Sequence, residues 1–295
     1  MSKGVTNRRQ KGSRAMPIFA TPQPIIVTID LAVADLKIIA GERTDTVVEV
    51  RPRNAARAAD VKAAELTRVE YANGRLLVKG PRQRGIFGRT ESIIVTIELP
   101  AGSHVYGSAA MSEFRGEGRL GECRFYTAMG DISLDQTGTL NLNTDYGNIT
   151  VERVVGQANI STGSGSVHIR AIDGPATIKN SNGPTTIGEV TGELRLNGAN
   201  SDFSVDRTHT SVTARIAHGS VRIGEVVRGS ILLETAFGEL EVGIRQGTAA
   251  WLDVSTRYGS VRNSLPAHDG PRQSDETVEV RARTSYGDIT IRRST

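Results

Sequence analysis

A short motif recurs along this chain at a nearly fixed interval, and no other feature limits the fold as strongly. It consists of a glycine, a small polar or acidic residue and then apolar-x-apolar. It reads Gly130-Asp131-Ile132-Ser133-Leu134, Gly147-Asn148-Ile149-Thr150-Val151 and Gly165-Ser166-Val167-His168-Ile169. It continues at Gly183, at Ser201 with Asp202-Phe203-Ser204-Val205, and at Gly219, Gly238, Gly259 and Gly287. The steps from Gly130 are 17, 18, 18, 18, 18, 19, 21 and 28 residues, so the period is about 18 with late insertions. A fixed period of this kind is the signature of a repeat architecture.

A second segment of period-two alternation precedes each glycine, as in Cys123-Arg124-Phe125-Tyr126-Thr127, Leu140-Asn141-Leu142-Asn143-Thr144, Ala158-Asn159-Ile160-Ser161-Thr162 and Ile231-Leu232-Leu233-Glu234-Thr235. Alternation of that period is a strand pattern. Each unit is therefore strand, turn, strand, longer turn. One unit cannot bury its own apolar face, whereas stacked units share a continuous core. The sequence predicts an all-β, single-domain parallel β-solenoid (β-helix) of about 12 rungs, each advancing about 4.8 Å, with its handedness open. A degenerate copy lies at Ser112-Glu113-Phe114, and earlier echoes lie at Ala34-Asp35-Leu36-Lys37-Ile38 and Gly74-Arg75-Leu76-Leu77-Val78.

Turn chemistry points the same way. Thr127, Thr144, Thr162, Thr235, Thr256 and Thr284 each stand three residues before a rung glycine, so stacking would align them as a ladder. Glycine tolerates turn conformations that a Cβ resists, and Thr, Asn and Asp side chains bond turn amides. The expected rung turns are thus Gly130, Gly147, Gly165, Gly183, Gly219, Gly238, Gly259 and Gly287 with those six threonines. Two stretches interrupt the pattern: residues 55–66, rich in Ala and charge, read as a short helical insertion, and residues 263–277 as a Pro/Gly/Asp loop insertion. A solenoid leaves an open strand edge at each end. The closing Arg292-Arg293-Ser294-Thr295 suggests charged blunting of one of them, and hence a monomer or weak homo-oligomer.

Charge narrows the partners. The net charge is +4, but residues 1–15 hold Lys3, Arg8, Arg9, Lys11 and Arg14 and no acid, a local +5 that leaves −1 for the remainder. Basicity here is a tail, either disordered or upstream of a second start at Met16. Nucleic-acid binding would rest on that tail alone. No run approaches the roughly 18 apolar residues of a membrane helix. Arg8-Arg9 is not followed by the apolar stretch of an export signal. The expectation is a cytoplasmic protein without membrane insertion, with an extracellular or cell-surface location as the alternative.

Candidate chemistry is sparse. His104, His168, His209, His218 and His268 form no metal-ligand spacing, and the sequence offers no catalytic, cofactor-binding or metal residue. The Gly-Asp corners at Asp131, Asp202 and Asp288 resemble calcium-binding rolls, yet equivalent positions hold Asn148, Ser166, Pro184, Ser220 and Ser260, which suits turn capping better. Glu239 shares that corner, and a glycan-active enzyme would need paired carboxylates there. Cys123 faces the core, where a thiol is inert. Ser164 sits in Gly163-Ser164-Gly165 without the helix that a nucleophile elbow or phosphate loop requires. Tyr146, Phe237, Tyr258 and Tyr286 each precede a rung glycine, and form either a packed corner ladder or a binding strip.

The sequence also resembles the bacterial putative-adhesin family of β-strand-repeat proteins, a domain of unknown function. The carrying segments are Thr46-Val47-Val48-Glu49-Val50-Arg51-Pro52, Glu98-Leu99-Pro100-Ala101-Gly102, the TxxG-x-apolar rungs, Gly247-Thr248-Ala249-Ala250-Trp251-Leu252-Asp253-Val254 and Thr284-Ser285-Tyr286-Gly287-Asp288-Ile289. They cover about residues 17 to 293. The resemblance implies a solenoid without known catalytic residues, cofactor or established substrate. The functional expectation is a non-catalytic interaction or scaffold protein with a protein or glycan partner. The alternatives are an exported surface adhesin or polysaccharide-binding protein and, after it, a glycan-active β-helix enzyme.

Overall fold

The computed structural model describes residues 16–81, 91–266 and 276–294. The basic tail, His268 and most of the expected 263–277 loop lie outside them. Strands are numbered in chain order. The N-terminal part contains β1 (Ile18–Ala20), β2 (Ile26–Gly41), β3 (Asp45–Pro52), helix α1 (Ala58–Leu66), β4 (Arg68–Ala72), β5 (Arg75–Lys79), β6 (Ile93–Pro100) and β7 (His104–Arg119). Paired rung strands follow: β8 (Cys123–Met129) with β9 (Ile132–Thr137), β10 (Leu140–Tyr146) with β11 (Ile149–Val154), and β12 (Ala158–Ser164) with β13 (Val167–Ile172). Next come β14 (Ala176–Asn182) with β15 (Thr185–Val190), β16 (Leu194–Asn200) with β17 (Phe203–Thr208), and β18 (Val212–His218) with β19 (Val221–Val226). The last are β20 (Gly229–Phe237) with β21 (Leu240–Ile244), β22 (Ala249–Tyr258) with β23 (Val261–Asn263), and β24 (Thr277–Tyr286) with β25 (Ile289–Arg293).

All the strands belong to one sheet, and successive rungs pair in parallel, so the architecture is the parallel β-solenoid that the period predicts. First strands stack on first strands and second on second, as in Leu142↔Ile160 and Ile149↔Val167. Alternate side chains from both stacks turn inward and fill the core: Leu142, Ile160, Ile178 and Leu196 on one side, Leu134, Val151, Ile169 and Ile187 on the other. Phe114 and Phe125 meet there with ring centroids 4.6 Å apart.

The spatial order departs from the chain order at the C-terminal end. β24 pairs with β20 on one side and β22 on the other, and β25 lies between β21 and β23. The last strands in sequence form the penultimate rung, and β22/β23 form the terminal one. The Arg292-Arg293 pair therefore blunts no end. Ile289 and Ile291 are buried on either side of Thr290, Arg292 reaches Glu241 at 2.7 Å, and Arg293 donates to the carbonyls of Arg245 and Thr248.

The N-terminal end is built differently. β2 and β7 are single 16-residue strands that run past the corner without a break, pairing from Ile26↔His104 to Ala40↔Gly118. β5 and β6 both lie on β2, so together they supply the first parallel rung. Beyond it the sheet turns antiparallel, with β4 on β5, β3 on β6 and the three-residue β1 on β3. Gly74 is thus no rung corner. With Asn73 (φ 52°) it forms the two-residue turn of the β4–β5 hairpin. Helix α1 falls within the expected 55–66 insertion and rests on β3 and β6. It is anchored by Asp60, buried, whose carboxylate accepts from the backbone N–H groups of Asn54 and Ser92. Among the described residues no helix is long and apolar enough to cross a membrane.

Candidate binding surface

The rung turn is a built corner with an inner and an outer row. At Gly219 the backbone holds φ +141°, and a Cβ would stand 2.0 Å from the Ser201 carbonyl oxygen of the neighbouring rung. Gly130, Gly147, Gly165, Gly183, Gly238, Gly259 and Gly287 lie in the same close approach. The six threonines line the inner side. The hydroxyls of Thr162, Thr235, Thr284 and Thr256 donate to the carbonyls of Gly147, Gly219, Gly238 and Gly287 at 3.4, 3.1, 3.1 and 2.9 Å. Thr127 donates to Met129 O instead, and the buried Thr144 hydroxyl has no partner within hydrogen-bond distance. Asn180 takes the ladder position one rung after Thr162 and donates to the Gly165 and Gly183 carbonyls.

The corner acids are separated rather than convergent. Each caps the adjacent rung: Asp131 accepts from the N–H of Asn148 at 2.7 Å, Asp202 from that of Ser220 at 2.8 Å and Asp288 from that of Ser260 at 2.9 Å. The hydrogen bonds from Ser260, aided by Arg262, hold the Asp288 carboxyl below its ordinary value. Glu239 donates its backbone N–H to Ser220 Oγ. Cys123 is fully buried, and loss of solvation pushes its thiol up to about 12. His209 meets Glu189 at 2.6 Å, while His218 stacks on Phe237. Among the described residues no three His, Cys, Asp or Glu side chains gather as metal ligands would. A groove of about 380 Å³ is lined by Glu189, Asp206, Arg207, Arg222, Glu225 and Arg292. Its charges are largely matched, with Arg207–Glu225 at 2.9 Å and Arg292–Glu241 at 2.7 Å.

The outer row of the corner is the more distinctive surface. The residue just before each rung glycine, or before Ala34, Ser112 or Ser201 in its place, lies on the outer side of the corner, and parallel register aligns these residues along the rod. Val33, Met111, Met129, Tyr146 and Ser164 are successive partners, as are Asn182, Asn200, His218, Phe237, Tyr286 and Tyr258. Asn200 donates to Asn182 at 3.0 Å. The rings stack: His218 on Phe237 at 4.9 Å, Phe237 on Tyr286 at 4.8 Å and Tyr286 on Tyr258 at 4.7 Å, with planes 2–14° apart. Tyr286 stands between Phe237 and Tyr258 because its rung does. Of the four aromatics expected to form a strip, three come together, and Tyr146, 62% exposed, stands apart beyond Ser164, Asn182 and Asn200. His218 joins the stack, and the Asn182–Asn200 pair continues the row below it. Their signal was their place before the glycine rather than their residue type.

Because each ring covers the next, ring faces are mostly consumed by stacking. The ridge presents ring edges, tyrosine hydroxyls and asparagine amides to solvent, a mixture of apolar and hydrogen-bonding groups at one side chain per rung.

A protein-family model, Toastrack DUF4097, matches residues 26–294. Among solved structures, a putative adhesin from Parabacteroides merdae is 15% identical over 77% of this chain and 95% of its own, with a TM-score of 0.48. A putative adhesin from Bacteroides fragilis is 12% identical over 95% of this chain and 98% of its own, with a TM-score of 0.33. A putative lipid binding protein from Parabacteroides distasonis is 12% identical over 95% of this chain and 96% of its own, with a TM-score of 0.33. No match is found among curated proteins.

Proposed function

The chain belongs to the Toastrack DUF4097 family, and from that premise we propose that it is a non-catalytic binding protein of the surface-adhesin kind. Its outer corner ridge takes an extended polysaccharide. This places the exported binder ahead of the cytoplasmic scaffold. One observation carries it: a row of outward side chains, one per rung, ending in the stack His218–Phe237–Tyr286–Tyr258. A linear polymer lying along the rod would meet equivalent positions repeatedly. Sugar hydroxyls suit the Asn182 and Asn200 amides and the Tyr258 and Tyr286 hydroxyls, while sugar C–H surfaces suit the ring edges. A chain held by many weak, evenly spaced contacts needs no enclosed pocket. The capping use of Asp131, Asp202 and Asp288 supports a binding rather than a hydrolytic role, since each of these carboxylates is engaged with a neighbouring rung.

The test is binding of the full chain to a panel of purified polysaccharides, with Phe237→Ala/Tyr286→Ala and Asn182→Ala/Asn200→Ala beside it. At least one glycan should bind, and each double variant should weaken it about tenfold or more, an amount that one or two lost contacts can supply. Unchanged affinity together with a lowered melting temperature would make the ridge a packing device only. Fractionation of producing cells tests the location, for protein confined to the cytosol would sink the surface reading.

A further inference from the structure

The terminal rung leaves an edge bare. β22 pairs with β24, and β23 with β25, but among the described residues no strand pairs with the opposite side of either. β22 runs ten residues with no Pro, Gly or inward-pointing charge, and its two charges, Asp253 and Arg257, lie on the outward face. Its inward-facing Ala250, Leu252 and Val254 are only partly covered, whereas their partners one rung deeper, Val278, Val280 and Ala282, are buried. Trp251, on the outward face, is 73% exposed.

We propose that β22 pairs antiparallel with β22 of a second copy of this chain, joining two rods end to end about a twofold axis. Strand charges select this arrangement. Asp253 and Arg257 both point outward and lie two residues to either side of Ser255. A twofold axis at Ser255 sets each Asp253 opposite the partner's Arg257, and opposite charges facing across a pair stabilise it. Parallel pairing in register would set like against like. On the inward face the same axis sets each Val254 opposite the partner's Thr256, and the interface is isologous and closes at two copies. Head-to-tail growth is disfavoured, because the edges at the N-terminal end are the three-residue β1 and the five-residue β4, each shorter than β22. This inference does not depend on the ridge or its ligand.

Sedimentation of the full chain across concentrations tests it. A reversible monomer–dimer equilibrium is expected. Asp253→Arg and Arg257→Asp should each shift its midpoint upward about tenfold or more, and the double reversal should restore it. Arg257→Asp leaves the Asp253–Arg283 pair in place, and circular dichroism with a melting curve identifies folded variants. A chain monomeric at every concentration, a dimer indifferent to both single reversals, or mass rising without limit would each overturn the proposal.

Discussion

The two ends of the rod solve the same problem in opposite ways. At the N-terminal end the last parallel rung is overlaid by β3, β4 and α1, and Leu76, Val78 and Val95 are fully buried. The outermost strands of that layer, β1 and β4, are three and five residues long. At the C-terminal end the outermost strand has ten residues and half-covered Leu252 and Val254. One end changes strand direction and offers only short edges, and the other keeps the parallel register and offers a long one. The difference teaches that depth in this fold is set by rung position rather than by distance from a chain terminus. Ile291, in the last strand of the sequence, is as buried as mid-rod Ile169.

That contrast breaks most sharply at the rung glycines. Gly287→Ala places a Cβ 2.1 Å from the Gly238 carbonyl oxygen, between two rungs that cannot separate. With its positive φ, a loss of several kcal/mol, about 3 or more, is expected in urea unfolding. Gly259→Ala makes the same contact with Gly287, but its rung is terminal and can shift outward, so its loss should be clearly smaller. Equal losses would refute the open end. Next in size, Ile291→Ala should cost about 2–5 kcal/mol as a core cavity. Leu252→Ala should cost less than half as much, unless a second copy covers it.

A smaller effect concerns the tie between the last two rungs. The Asp288 carboxylate, held down by Ser260, favours the folded state above the ordinary aspartate value of 3.8. That contribution is lost as pH falls through the depressed folded value. Asp288→Asn should therefore narrow its stability gap from the parent chain as the solution is acidified, and a constant gap would assign the contact no electrostatic role. Least of all, Trp251→Ala should alter monomer stability by no more than about 0.5 kcal/mol, the usual range for an exposed site. A larger change would mean that the indole is covered.

Much of this was legible in the sequence. The period, the inward alternation and the glycine corners follow from packing that repeats identically, so each rung restates the rule. The order of the final rungs was not legible. β22 and β24 carry the same Thr, Tyr and Gly marks at 256, 258, 259 and 284, 286, 287, so either could follow Phe237 by local preference. Only three-dimensional pairing decides between them. The N-terminal cover was hidden for another reason: β2 and β7 turn the corner without a rung glycine, and Gly74 imitates the motif while serving a hairpin. His218 could have been found. It occupies the ridge position before Gly219 but resembles an ordinary turn histidine when considered alone.

The exchanged order of the last rungs also has a consequence in time. A solenoid whose layers follow the chain can grow as it leaves the ribosome, each new layer settling on the one before. Here β22 and β23 emerge before the strands on which they finally rest. They must wait for β24 and β25, or lie first on β20 and β21 and then be displaced. β24 and β25 are therefore a keystone. The terminal rung reaches its native place only after β24 and β25 have emerged.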